Sequence, residues 1–545
     1  MQRFVLAKRA WLVFLLLALA AYLYGLGNFP FVGPDEPRYA QVAREMYARR
    51  EGVTPTLAGR TWFEKPALPY WTMMAGYGLF GTRESSARLG FALMGLLTVL
   101  ALYLAGSRAE REGSAVGELR WLALSCAVVA ASSAGLLLFS HGVNFDIPLT
   151  LMTTIALACF FVQELEADKR RRLWLLAGFY LGAGAALLSK GLIGVIITFG
   201  VVTTYHLLRR AWPRREILLS LAWGLPLALL LAAAWYAPVI MRHGWTFVDE
   251  FFIQHHFARY TSNKYHHPQP FYFYLPVILL MLLPWTPYLI EAAAGARRWD
   301  LRAAGALSKW RAFALCWLLM PILFFSASGS KLPGYILPAL PGAVMLVGER
   351  LARTLRGEGG KASMRACGVL AVGLAAGIVA YVSRAGYPVI TCAVIGALPL
   401  AAAGVVALVL TKKGWLAAVS IMCGMFLLII VGLECGIEKI SRRVSIEHAL
   451  SRADARGYGL SPVYNLHTIE RTAEYYAAGR LQYGADGEPL RFEGATQVEE
   501  AARAGSVLVI VASEYAWQLT TYAPLETEVI DDNGEVALIA VKIRK

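Results

Sequence analysis

The chain has 545 residues, 57% of them hydrophobic and only 16% charged, with a formal net charge of +15. A soluble domain carries roughly 25% charged residues, so this composition excludes an ordinary soluble protein. The basic residues sit mostly in short loops beside apolar runs, which argues against nucleic-acid binding and for the positive-inside rule.

Apolar runs of roughly 18–25 residues recur along the chain, long enough for a helix to cross a hydrocarbon core of about 30 Å. The first follows Arg3, Lys8 and Arg9 and continues into Gly27-Asn28-Phe29-Pro30. It lacks a small-residue cleavage site and reads as an uncleaved span. Spans are expected at 10–27, 87–106, 120–139, 147–165, 172–189, 191–208, 217–240, 273–292, 312–327, 334–350, 366–383, 388–411 and 413–433. That is about thirteen transmembrane helices.

The connecting loops alternate in character. One set is basic: Met1–Arg9, Ser107–Arg120, Asp168–Arg172, Arg209–Arg215, Arg297–Arg311, Glu349–Arg365 and Lys412-Lys413. The other set is long or motif-rich: Asn28–Ser86, His141–Asp146, Arg242–Phe271, Ser326–Pro333 and everything after about Gly432. The positive-inside rule puts the first set in the cytoplasm and the second on the outer face. An odd span count agrees, placing the two termini on opposite sides.

Residues 1–433 thus form a membrane domain, with outer loops at 28–86 and 242–271, and residues 434–545 a small soluble domain. In the latter, Ser506–Ser513 and Val536–Ile543 read as strands. Ile469–Ala478 and Thr496–Ala504 read as helices stopped by Gly479 and Gly505. A small α/β fold follows. Of seven cysteines, all but Cys435 lie in or beside apolar runs and none forms a CxxC pair. They read as small core residues with no disulfide framework.

The first outer loop carries the densest chemistry. Gly33-Pro34-Asp35-Glu36-Pro37-Arg38-Tyr39 opens a helix, with Pro37 suited to its first position and Asp35 or Glu36 suited to capping it. Tyr39, Val42, Ala43, Met46 and Tyr47 share one face; Arg38, Gln41, Arg44 and Glu45 share the other. The pattern predicts an amphipathic helix on the membrane surface, with two carboxylates where a span leaves the lipid. Capping plus anchoring accounts for them equally well on this stretch alone. Next comes Trp62-Phe63-Glu64-Lys65-Pro66, either an interfacial aromatic belt or a place where Lys65 grips a lipid phosphate.

Two histidine pairs follow, His255-His256 before Arg259 and His266-His267. Imidazole pairs suit zinc, but neither pair has a third ligand nearby in sequence. Asp146, Lys190, Lys331 and Tyr335 interrupt apolar surroundings on the same outer side. Ionisable groups at membrane level are costly and functional by default. Their convergence on one face suits a substrate that is part anion and part lipid. A transporter, by contrast, gathers its polar groups at the midplane, often on repeated halves.

The segments GPDEPRYAQVAREM, WFEKPALPYW, NFDIPLT, LLSKGLIG, HHFARY to PFYFYLP, and SGSKLPGYILPALP occur in order between Gly33 and Gly342. With them the chain resembles the GT-C class of membrane glycosyltransferases, closest to the lipid A aminoarabinose transferase branch related to protein O-mannosyltransferases. The resemblance implies a sugar donor on undecaprenyl phosphate, a glycolipid acceptor such as lipid A phosphate, a periplasmic reaction and a bacterial inner-membrane location. Protein or another glycan is the alternative acceptor. It implies that Asp35 is catalytic, with Asp146 as a second acidic residue of the site. Lys65, Lys190, Arg259, Lys331, Tyr335 and Arg38 fall to the donor phosphate or the lid over it. A divalent metal, zinc in this branch, falls to Glu64 with His255 and His256, or alternatively His266 and His267. No GxGxxG follows a strand and no P-loop occurs, so no nucleotide cofactor is expected. The expected partners are membrane lipids, and the expected state is a monomer.

Overall fold

The computed structural model describes residues 14–112, 119–258, 269–386 and 389–544. The membrane part begins with α1 (Phe14–Leu23). The first outer loop holds α2 (Glu36–Ala48) and α3 (Leu68–Phe80), joined by a hairpin of β1 (Thr56–Leu57) and β2 (Arg60–Thr61). Then come α4 (Glu84–Glu112), α5 (Leu122–Ser132), α6 (Ala134–Ser140), α7 (Asp146–Leu165), α8 (Lys169–Lys190), α9 (Leu192–Arg209) and α10 (Arg215–Val248). The rest are α11 (Tyr274–Met281), α12 (Thr286–Gly295), α13 (Ala306–Ser326), α14 (Leu340–Arg356), α15 (Lys361–Arg384), α16 (Ile390–Val409) and α17 (Gly414–Val431).

Ten helices among the described residues are long and apolar enough to cross a membrane, or eleven if the bent pair α5 and α6 is one span. The expected thirteen therefore include shortened spans. The segment expected at 273–292 is split at Leu282–Trp285, where Pro284 offers no backbone N–H. The α5–α6 pair bends by 54° at Ser133, whose ψ is 132°. Backbone groups freed by a break inside lipid must find partners in the protein. Here Ala134 N donates to Leu283 O at 3.0 Å and Trp285 Nε1 to Ser132 Oγ at 2.9 Å. The two breaks therefore satisfy each other.

The alternation of loops reappears as contacts. At one end, Arg172 pairs with Glu216 (3.0 Å), Arg311 pairs with Glu349 (2.7 Å), and Arg209 donates to Leu301 O (2.8 Å). All of these join basic loops. At the other end Lys190 pairs with Asp146, and Arg242 with Glu51 (2.7 Å). Helix α8 carries Arg172 near its start and Lys190 at its finish. Its 22 residues span about 33 Å at a rise of roughly 1.5 Å per residue. Small residues seat it deeply: a Cβ on Gly182 would lie 2.8 Å from Ala156 N of α7, and one on Gly184 2.6 Å from Ala228 O of α10. Such small-residue contacts let membrane helices approach closely.

The C-terminal domain has a five-stranded sheet in the order β4 (Arg491–Phe492), β3 (Val463–Leu466), β5 (Val507–Ala512), β7 (Val536–Ile543), β6 (Leu525–Asp532). Strand β3 runs parallel to both β4 and β5, while β7 runs antiparallel to β5 and β6. The two expected strands are β5 and β7. Of the expected helices, Ala495–Ala502 forms, whereas only Ala473–Tyr476 of 469–478 is α-helical.

One expectation is corrected and another refined. Helix α2 is amphipathic as expected, but its apolar face is covered by protein: Tyr39, Val42, Ala43 and Met46 enter the main hydrophobic core, and its polar face packs against the C-terminal domain. Cys392 and Cys435 form a disulfide, while Cys126, Cys316 and Cys367 are buried free thiols.

Candidate active site

Asp35 and Glu36 are neighbours with opposite surroundings. Pro37 sets the first turn of α2, and Asp35 occupies the cap position. Yet the Asp35 side chain makes no capping hydrogen bond and is exposed to solvent. Glu36 turns inward. Its Oε1 accepts from Arg88 Nε at 2.8 Å and Val143 N at 2.9 Å; its Oε2 accepts from Arg88 Nη2 at 2.9 Å and Val32 N at 3.1 Å. Arg88 is fully buried and also donates to Leu26 O, Phe29 O and Pro30 O. Glu36 thus ties the first outer loop to the loop that carries Asp146. Arg88 was missed in the sequence, although an arginine inside an apolar span is itself a signal.

Arg38 and Tyr70 both feel the Asp35 charge, and through them Asp35 is linked to Trp62, Glu64 and Lys65. The Arg38 guanidinium stacks 5.1 Å from the Trp62 ring centroid. Burial lowers its pKa, but the carboxylates of Glu474, Glu64 and Asp35 outweigh that and hold it above its ordinary value. Lys65 Nζ pairs with Glu64 Oε1 at 2.8 Å, and both side chains are mostly buried. Burial, and then the Glu64 charge, push the Tyr70 hydroxyl upward.

A second cluster forms on helix ends. Asn144 Oδ1 accepts from Asp146 N and Ile147 N, which caps α7 and leaves the Asp146 carboxylate free for Lys190. Lys190 is the last residue of α8. Gly191 at φ 74° ends the helix there, a conformation that suits glycine. Lys190 Nζ also lies 4.4 Å from the Tyr335 ring centroid. Gly334 passes so near Asp146 that a Cβ would collide with the carboxylate.

Phe145 joins the two clusters. Its ring meets Tyr39 at 4.7 Å and Tyr70 at 5.5 Å, both edge-on. Tyr39 N donates to Asp35 O, and Asp146 follows Phe145 directly. Lys331 is buried and donates to Ser328 O (2.6 Å) and Gln269 O (3.1 Å), so its ammonium braces the loop beside Tyr335.

Arg259, His266 and His267 lie outside the described residues, as does the side chain of His256. Among the described residues no three His, Cys, Asp or Glu side chains gather for a metal. The segment carrying Glu64 does pack on the helix leading to His255, with Phe63 and Phe247 rings 5.2 Å apart and Phe247 stacked on Phe251.

Among the described residues, ten or eleven helices fit to span a membrane, a loop after the first of the membrane helices with an exposed acidic residue at a helix start, and a small C-terminal α/β domain make this a GT-C-type membrane protein. The chain belongs to the dolichyl-phosphate-mannose-protein mannosyltransferase family, whose profile matches residues 8–290. It is 32% identical over 373 residues to the undecaprenyl phosphate-alpha-4-amino-4-deoxy-L-arabinose arabinosyl transferase of Pseudomonas aeruginosa (strain UCBPP-PA14), covering 68% of this chain and 64% of that relative. The undecaprenyl phosphate-alpha-4-amino-4-deoxy-L-arabinose arabinosyl transferase 2 of Pseudomonas fluorescens (strain Pf0-1) is 33% identical over 366 residues, or 65% and 62% of the two chains. The matches thus span less than two thirds of these relatives. In fold, the chain resembles ArnT from Cupriavidus metallidurans bound to undecaprenyl phosphate. The TM-score is 0.78 at 24% identity, covering 97% of this chain and 98% of that one.

Proposed function

We propose that this protein is a glycosyltransferase that moves 4-amino-4-deoxy-L-arabinose from undecaprenyl phosphate to a lipid A phosphate. It does so as a monomer at the periplasmic face of a bacterial inner membrane. The observation that carries this reading is the Asp35 carboxylate: exposed, without a capping role, and beside Arg38 and Glu64 at the start of α2. The names of the Pseudomonas relatives, and the undecaprenyl phosphate bound by the Cupriavidus protein, supply the donor class.

Breaking a glycosyl–phosphate bond leaves negative charge on the departing lipid phosphate. Lys65, Lys190 and Arg259 are the cations proposed to stabilise it in a water-poor site, with Lys331 and Tyr335 closing the loop over it. Lys65 rests on Glu64 and exchanges that partner for phosphate. Asp35 steadies the developing positive charge on the sugar, with Asp146 holding Lys190 in place. The N-terminus is cytoplasmic and the C-terminal domain periplasmic. The Cys392–Cys435 disulfide supports this, since such bonds persist in oxidising compartments. Glu64 with His255 and His256, or with His266 and His267, is proposed to hold a zinc-like metal. The described residues supply too few ligands for any step to be routed through it.

The test is Asp35→Asn in monodisperse detergent-purified protein, assayed for aminoarabinose transfer. The expected result is donor binding retained and transfer reduced by about 10²–10⁴, the usual worth of a positioned acid–base or charge-stabilising group. Activity within a few-fold of wild type would move the chemistry to Asp146. Mass spectrometry of lipid A with and without the gene tests the acceptor. Unchanged lipid A alongside a lost glycoprotein would favour a protein acceptor.

A further inference from the structure

We propose that the C-terminal domain is a working part of the transfer site, acting through Glu474 as the residue that positions Arg38 one helical turn beyond Asp35. The inference rests on the Asp35-centred reading above. Glu474 is completely buried, and an acidic side chain is rarely found so unless paired. It holds two cations. Its Oε2 accepts from Arg38 Nε and its Oε1 from Arg38 Nη2, each at 3.4 Å; Oε1 also accepts from Arg471 Nη1 at 2.8 Å. Two guanidinium nitrogens facing two carboxylate oxygens make a fork, which fixes orientation as well as distance. The fork leaves Nη1 outside it, on a guanidinium that also feels the charges of Asp35 and Glu64. Trp62 stacks on the plane of the same group.

The neighbours of Glu474 repeat the engagement. Tyr475 O accepts from Arg44 Nη2 at 2.6 Å, and the Arg44 guanidinium lies 3.9 Å from the Tyr475 ring centroid. The Tyr476 hydroxyl accepts from Phe31 N at 2.7 Å and donates to Glu84 Oε1 at 2.8 Å. Three consecutive residues therefore grip the first outer loop at Phe31, before Asp35, and at Arg38 and Arg44, after it. A domain that served only as a tether needs no buried carboxylate on the arginine one turn from Asp35. An Arg38 released from Glu474 loses its fixed orientation beside Asp35 and Glu64, and the site loses the placed positive charge that the transfer uses.

The experiment uses the full-length protein with undecaprenyl-phosphate aminoarabinose and lipid A as substrates. It compares wild type, Glu474→Gln, Arg38→Ala, the double variant and Asp35→Asn. Glu474→Gln keeps the size and removes the charge. Its kcat is expected to fall about 10–100-fold, the cost of a small misplacement at a reacting centre, with donor KM within about two-fold. In the Arg38→Ala background the same change is expected to have no further effect, because a residue acting through Arg38 is silent once Arg38 is gone. Equal losses in both backgrounds would make Glu474 merely structural and overturn the proposal, as would a Glu474→Gln variant with wild-type kcat. Should Glu474→Gln fail to elute as a monodisperse peak, Arg38→Ala decides: wild-type kcat there overturns the proposal, and a 10–100-fold loss at constant KM supports it. An active Asp35→Asn overturns the reading of the site and this inference with it. An inactive Asp35→Asn beside a fully active Glu474→Gln overturns this inference alone.

Discussion

Replacing Glu36 by Gln removes a charge from a carboxylate that is 8% exposed while its partner, Arg88, is 0% exposed. Arg88 keeps its three carbonyl partners but loses its counter-charge, and removing one member of a buried pair costs about 3–5 kcal/mol. Folded proteins are stable by roughly 5–15 kcal/mol, so the loss is a large share of the whole. The assay is the thermal midpoint of protein purified in one detergent, followed by tryptophan fluorescence and size-exclusion elution. Glu36→Gln is expected to drop the midpoint sharply or to yield little folded protein. Arg88→Met is expected to do the same. The double variant is expected to fall less than the sum, because neither charge is left stranded. Asp35→Asn, one residue away, is exposed and expected to change stability by no more than about 0.5 kcal/mol. A Glu36→Gln protein as stable as Asp35→Asn, yet unable to transfer sugar, would refute the assignment of structural work to Glu36.

Gly334→Ala is expected to fold and to lose transfer, because its methyl displaces the Asp146 carboxylate from Lys190; wild-type kcat in that variant would remove Asp146 from the site. Lys190→Met strands Asp146, which is 13% exposed, and is expected to lower both stability and donor affinity, read by thermal shift with and without undecaprenyl phosphate. Alkylation before and after reduction is expected to label Cys392 and Cys435 only after reduction; labelling without reductant would place both thiols in a reducing compartment. Metal analysis of the purified protein is expected to find about one zinc per chain, lost on Glu64→Gln; metal-free protein with full activity would leave the histidines as interfacial residues.

The spans were readable because lipid demands long apolar runs, and the basic loops were readable because their charge is local in sequence. Breaks inside the membrane were not. The kink at Ser133 and the gap at 282–285 satisfy each other through bonds between residues as far as 153 positions apart, and no window along the chain shows that. Strands β5 and β7 announced themselves as buried runs, whereas β6, Leu-Glu-Thr-Glu-Val-Ile-Asp-Asp, is an edge with mostly solvent-facing positions and reads as loop. At the site, sequence named both Asp35 and Glu36 but not which of them turns inward. The choice is made by Arg88 and by Val143 N, each far along the chain. What covers the polar face of α2 was hidden for a related reason. Arg38 and Arg44 look solvent-facing until Glu474 and Tyr475 are brought over them.

The seam between α2 and the C-terminal domain also sets a clock on biosynthesis. Arg38 and Glu474 are 436 residues apart. At roughly 5–20 residues per second on the ribosome, that gap takes about 20–90 s to make. Through that interval the loop lacks the partners that Glu474 and Tyr475 bring to Arg38 and Arg44. The partner strip emerges only after the last span has been threaded. A ribosome that stalls after α17 would release a chain with every span in place and an incomplete outer face.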